Sequence, residues 1–196
     1  RFIAPMKSSL SALAAFGLLG VAASQCRKTE HNPVDLDEYY SAVTNLAVTG
    51  NAFKTALSRV IDGHHSYNYS PRTWEILGEA DQHPNDPNSI LAIYTQKAIK
   101  KSFRAGSNGA NGDAWNREHV WAKSHGFPDR SQDGYTDCHH LMAADTSCNS
   151  DRSDHDFKDG GSPVPGCNSR STRSTWEPPA IAKGPVARAM FYMATR

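Results

Sequence analysis

Apolar positions along the 196-residue chain change their period several times, and each change marks an element. From about Ser41 the pattern turns helical: Ala52, Phe53, Ala56, Leu57, Val60 and Ile61 recur on one face, and Gly63 follows as a stop. A second short helix is predicted over 71–79, with Trp74 and Leu77 facing inward. Pro, Asn and Asp crowd 81–88, which reads as a loop, and 90–94 reads as a buried strand. Residues 105–114, rich in Gly, Asn and Ser, form a flexible approach to a strand–loop–strand–helix over 115–153. Another loop covers 160–175, and 186–193 reads as a final amphipathic helix. No internal repeat, phosphate-binding loop or dinucleotide fingerprint is visible.

The first segment follows different rules. Met6-Lys7 precedes an apolar run over 10–23, and small residues lead up to Gln25. One positive charge, a short apolar stretch and a small-residue cut site are the features of a bacterial signal peptide, placed at 1–24. Residues 1–5 then lie upstream of the start at Met6. The run is short and rich in Ala, Gly and Ser for a membrane span; a buried core helix is the alternative. Cys26 lies where a lipidated cysteine would sit, although Gln25 fits that processing poorly. A linker over 25–40, carrying Pro33, leads to one domain over 41–196.

Charge is nearly balanced, with 21 Lys and Arg against 20 Asp and Glu. That disfavours a simple nucleic-acid-binding module, which would carry a basic excess, but not an enzyme that grips a few phosphates locally. In an exported protein, Cys138, Cys148 and Cys167 provide one disulfide and one leftover thiol, and the sequence does not say which pair forms.

The candidate chemistry lies in 115–157, which holds His119, His125, His139, His140 and His155, five of the nine histidines. Trp115-Asn116-Arg117-Glu118-His119 sets a carboxylate beside an imidazole. Strand neighbours point to opposite faces, so Glu118 and His119 share one site only near a strand end or bend. If 144–153 is helical, Asp145, Asn149 and Arg152 fall on one face. Such a helix has no apolar stripe and makes better sense as the wall of a polar site.

At these residues the chain resembles the bacterial endonuclease I family, within the His-Me (ββα-metal) finger nucleases. The likeness runs through Trp115-Asn116-Arg117-Glu118-His119-Val120-Trp121-Ala122-Lys123-Ser124, Asp137-x-His139-His140-Leu141, Asn149-Ser150-x-Arg152 and Asp156-Phe157. It resumes at Trp176-Glu177-Pro178-Pro179 and at Lys183-Gly184-x-x-Ala187-Arg188-x-x-Phe191-Tyr192-Met193. The resemblance implies an α+β fold, a mainly helical domain around a ββα-metal finger with long loops. It also implies a secreted nuclease in which Glu118 and Asn149 hold Mg²⁺, or another divalent cation such as Mn²⁺ or Ca²⁺, and His119 activates water. Arg152, near Asn149 on the same helix, is added here as a grip on a phosphate oxygen. Arg117, His139, Arg170 and Arg173 are candidate contacts to nucleic acid, while His140 braces the finger. DNA, RNA or both remain open as substrate, with little base specificity expected. The protein is expected to act as a monomer without a membrane partner.

Two departures stand out. Ala180 and Pro185 occupy positions where the family has acidic residues, and Pro185 is tolerable in the first turn of a helix. Relatives of that family also continue past Thr195-Arg196, so the domain reads as truncated. Two rival readings remain. One is a structural zinc site drawn from Cys138, His139, His140, Cys148, His155 and Cys167, although their spacing matches no common knuckle. The other is an exported binding protein on a degenerate nuclease fold.

Overall fold

The computed structural model describes residues 35–44, 46–63, 66–107 and 113–196. The expected signal peptide, Cys26 and most of the expected linker lie outside the described residues. The described residues form two compact units, one of those up to 63 with 195–196 and one of those from 66 to 194. Among the described residues, no helix is long and apolar enough to cross a membrane.

In the first unit the helical pattern resolves into three pieces: α1 (Leu36–Tyr39), α2 (Ser41–Thr44) and α3 (Gly50–Ile61). Asp35 caps α1 by accepting the backbone N–H groups of Asp37 and Glu38, which draws the helical region back into the expected linker. Leu57 and Ile61 of α3 are buried, as the periodicity predicts.

The second unit starts with α4 (Arg72–Ala80), which buries Trp74 and Leu77. A three-stranded antiparallel sheet follows, built from β1 (Gln82–His83), β2 (Asp86–Leu91) and β3 (Ala98–Lys100). Part of the expected loop over 81–88 is therefore a hairpin. Pro87 is accommodated because the register shifts between Gln82 and His83, so no ladder N–H is required of it. The expected strand over 90–94 ends at Leu91. The Ile93 N–H then bonds to the carbonyl of Ala143.

A central ribbon pairs β4 (Trp115–His119) antiparallel with β5 (Leu141–Asp145), with Glu118 opposite Met142 and His119 opposite Leu141. Its two faces serve two cores. Trp115, Leu141 and Ala143 pack with Trp74, Leu77, Ile90 and Ile99. Ala144 and Met142 pack with Tyr94, Val120, Trp176 and Val186. The helix α5 (Thr146–Arg152) leaves β5 at Asp145, whose carboxylate accepts the N–H groups of Ser147 and Cys148 as an N-cap. Asp145 is thus the cap and the last strand residue, not part of the helical face with Asn149 and Arg152.

The expected loop over 160–175 instead contains strands. β6 (Asp156–Phe157), β7 (Ser162–Val164), β8 (Ser169–Ser171) and β9 (Thr175–Glu177) form a sheet in the order β6-β9-β8-β7. Gly161 allows the tight approach to β8, since a Cβ there would lie 2.4 Å from the Ser171 carbonyl oxygen. The last helix, α6 (Ala180–Thr195), begins before the expected 186, so Pro185 lies inside it and not in its first turn. Proline removes one intrahelical donor; the carbonyl left without it belongs to Ile181, which is 66% exposed. Of the described residues 38% are helical and 21% strand, so the domain is α+β and not mainly helical.

Candidate active site

Four consecutive residues of β4, Asn116 to His119, line one cleft of about 570 Å³ together with Lys123, Asn149 and Arg152. Alternating strand residues share a single opening only along a strand edge or at its end. His119 is the last residue of β4, which satisfies the condition set by the Glu118-His119 pair.

On one face of β4, Glu118 is 1% exposed. Its Oε1 accepts the Tyr94 hydroxyl at 2.7 Å and the Arg152 Nη1–H at 2.9 Å. Burial raises the Glu118 carboxyl above the ordinary range, against the pull of Arg152 and the Tyr94 hydrogen bond. Burial also raises the Tyr94 hydroxyl well above its usual value, followed by the effect of Glu118, so Tyr94 stays a donor. The same Arg152 Nη1 donates to the His119 carbonyl at 2.7 Å and Nη2 to the Val120 carbonyl at 2.8 Å. The Arg152 side chain is 3% exposed. Both terminal nitrogens of Arg152 thus bond at the end of β4, while the side chain also lines the cleft. Asn149 donates Nδ2–H to Asn116 Oδ1 at 2.6 Å, which sets the orientation of its amide and leaves Oδ1 as the acceptor.

On the other face, His119 Nε2 lies 2.9 Å from the Tyr135 carbonyl oxygen. A carbonyl only accepts, so Nε2 carries the proton and Nδ1 holds the free lone pair. Burial, followed by the nearby His140, holds the His119 pKa down to about 3, so the ring is neutral. Tyr69 stacks on it at 5.9 Å and Tyr135 meets it edge-on at 4.8 Å. Arg117 lies between Tyr69 and Trp74, its Cζ 3.5 and 4.1 Å from the two ring centres. It also donates to the Tyr69 carbonyl, Ser70 and Thr73.

The remaining candidates lie elsewhere. His139 bonds through Nδ1 to Asp137 at 2.8 Å and stacks on Tyr192, outside the cleft lining. Arg170 faces Glu177 at 3.9 Å, and Arg173 is exposed in the turn after β8; neither lines the cleft. His140 donates its Nε2–H to the Gly134 carbonyl oxygen at 2.7 Å. Tyr69, Tyr94 and Tyr135 were not singled out from the sequence. Tyr94 had a usable signal, because a tyrosine in a predicted buried strand needs a partner for its hydroxyl.

The donor chemistry suits a hard, hydrated cation. Glu118 and Asn149 both line the cleft and carry hard oxygen donors, and Mg²⁺ needs only one or two protein oxygens because it keeps several waters. The rival zinc site loses two of its thiols to the Cys148–Cys167 disulfide. Cys138 is the free cysteine among the described residues. No three His, Cys, Asp or Glu side chains among those residues converge as a metal-binding group.

An extracellular ribonuclease of Bacillus amyloliquefaciens is 43% identical over 163 residues, covering 83% of this chain and 54% of that protein. The extracellular ribonuclease of Bacillus subtilis (strain 168) is 42% identical over 165 residues, with the same two coverages. The chain thus spans about half the length of the curated relatives it matches. The Endonuclease I family model matches residues 49–196, from the first turns of α3 through the ribbon and both cores, and the chain belongs to that family.

Proposed function

We propose that the protein is a secreted, divalent-metal-dependent nuclease that hydrolyses phosphodiester bonds of RNA and DNA with little sequence specificity. The observation that carries this reading is the hydrogen bond from His119 to the Tyr135 carbonyl. It leaves a neutral Nδ1 as proton acceptor in a cleft that also holds Glu118 and Asn149. In this reading His119 Nδ1 takes a proton from the attacking water. Water adds to phosphorus, the P–O3′ bond breaks, and the leaving 3′ oxygen takes a proton from solvent water, giving a 5′-phosphate and a 3′-hydroxyl. Glu118 and Asn149 would hold Mg²⁺ or a similar cation, which when bound stabilises charge on the scissile phosphate and the leaving oxygen. Arg152 acts as a positioning residue, tying Glu118 to the carbonyls of His119 and Val120 so that ligand and base keep one spacing. Arg117 braces the opposite face between its two rings.

RNA enters as substrate through the names of the two relatives. Secretion is supported by those names and by the disulfide, which persists outside the reducing cytoplasm. The unit over 66–194 is proposed to work as a monomer with nucleic acid as its partner. Purified protein given plasmid DNA or total RNA should cleave both with Mg²⁺ and neither with EDTA. Cleavage undiminished by chelator would refute the metal assignment, and no cleavage under any cation would refute the activity.

A further inference from the structure

The cations around the cleft divide into two groups. Arg152 is committed to Glu118, and outside the lining Arg72, Arg170 and Lys183 each face a carboxylate. Arg104, Lys123 and Arg130 have no such partner among the described residues; Lys123 lines the cleft itself, while Arg104 and Arg130 sit over Trp74 and Tyr69, two rings that line it. The carboxylates of the same loop as Arg130 bond elsewhere, Asp129 to Ser131 and Asp133 to Ser66. These three cations are held instead by aromatic rings. Arg104 lies 5.8 Å over Trp74, Arg130 5.2 Å over Tyr69, and Lys123 5.4 Å over Tyr135, whose hydroxyl it also reaches at 3.3 Å.

Arg117 sits between Trp74 and Tyr69, and Tyr69 meets Tyr135 edge-on at 4.8 Å. The result is one connected run of cations and rings along the Arg117/His119 face of β4. An outer cation held over a ring keeps its charge and most of its N–H donors for a ligand. The rings cannot stack bases on their covered faces, so this surface offers positive charge and not base recognition.

We infer that Arg104, Lys123 and Arg130 form a phosphate track that holds the nucleic-acid backbone on either side of the bond being cut. The inference rests on the nuclease reading and replaces Arg170 and Arg173 as the backbone contacts. It is tested by binding of a fluorescein-labelled single-stranded DNA 12-mer in EDTA, so that no cleavage intervenes, over a series of salt concentrations. Each lost phosphate contact lowers the slope of log affinity against log salt by about 0.7. The triple variant Arg104→Gln, Lys123→Gln, Arg130→Gln should lose about 2 from that slope and bind at least about tenfold more weakly at low salt. Arg130→Lys should keep the slope, and Arg170→Gln with Arg173→Gln should leave it unchanged.

An unchanged slope in the triple variant, with wild-type thermal unfolding, overturns the track. So does an equal loss in the Arg170/Arg173 pair. If wild type cleaves nucleic acid but the triple variant binds as wild type does, only the track falls. If wild type neither binds nor cleaves, the nuclease reading falls with it.

Discussion

The two faces of β4 solve opposite electrostatic problems. On one, an acid, Glu118, is buried with its own cation, Arg152, and a tyrosine donor, so the charges are matched inside the protein. On the other, cations accumulate against rings and most find no carboxylate. A buried charge pair tolerates little change, because removing one member strands the other. An exposed cation over a ring can be lost with little structural consequence. The matched face therefore serves geometry, and the unmatched face serves ligand attraction.

The largest effect expected from breaking this division is at their junction. His119→Ala should lower the cleavage rate by about 10² to 10⁴, measured below the unfolding temperature of the variant; full activity would remove the base assignment. Next, Arg152→Ala should destabilise the fold by about 3–5 kcal/mol, since it leaves Glu118 buried and unpaired. Chemical denaturation would measure it, and Glu118→Gln in the same background should recover part of the loss. A cost no larger than that of Arg130→Ala would erase the distinction between the faces.

A second, half-buried acid sharpens the point. Asp81 accepts the Ala143 N–H at 2.6 Å, and burial pushes its pKa up from 3.8 to about 7. The unfolded chain gives up that proton near pH 4 and the folded protein only near 7. Folding is therefore most favourable below about pH 4 from this group, loses stability as pH rises between the two values, and levels off above about 7. The total is on the order of 4 kcal/mol. Asp81→Asn should flatten that part of the stability–pH curve, and an unchanged slope would show the carboxyl is compensated by another group. The smallest effect belongs to Asn116→Ala, which frees the Asn149 amide. The Mg²⁺ concentration for half-maximal activity should rise about tenfold to a hundredfold, with the rate at saturating Mg²⁺ nearly restored.

Much of this was legible in the sequence where burial imposes a period. Leu57 and Ile61 announce α3, and Trp74 with Leu77 announces α4, because an amphipathic helix repeats its apolar face. The C-terminal sheet was hidden for the converse reason: β7 and β8 are three-residue strands of Ser, Pro, Val and Arg, held by pairing and a glycine contact more than by apolar alternation. At the site, Glu118, His119 and Asn149 were placed in one cleft by motif. The direction of Arg152 was not readable, because its partners are backbone carbonyls exposed only where β4 ends. Nor were Tyr69, Tyr94 and Tyr135, which reach the site from distant parts of the chain.

The Cys148–Cys167 bond adds a consequence for resistance to proteolysis. Between its ends lie the connections around β6 and β7, with Gly160, Gly161 and Gly166 at positive φ, and connections of that sort are where proteases enter. A single cut there would release no fragment, because both sides stay covalently joined. Asn149 stands one residue from the join, so a nicked molecule would keep that residue tethered to the rest of its site.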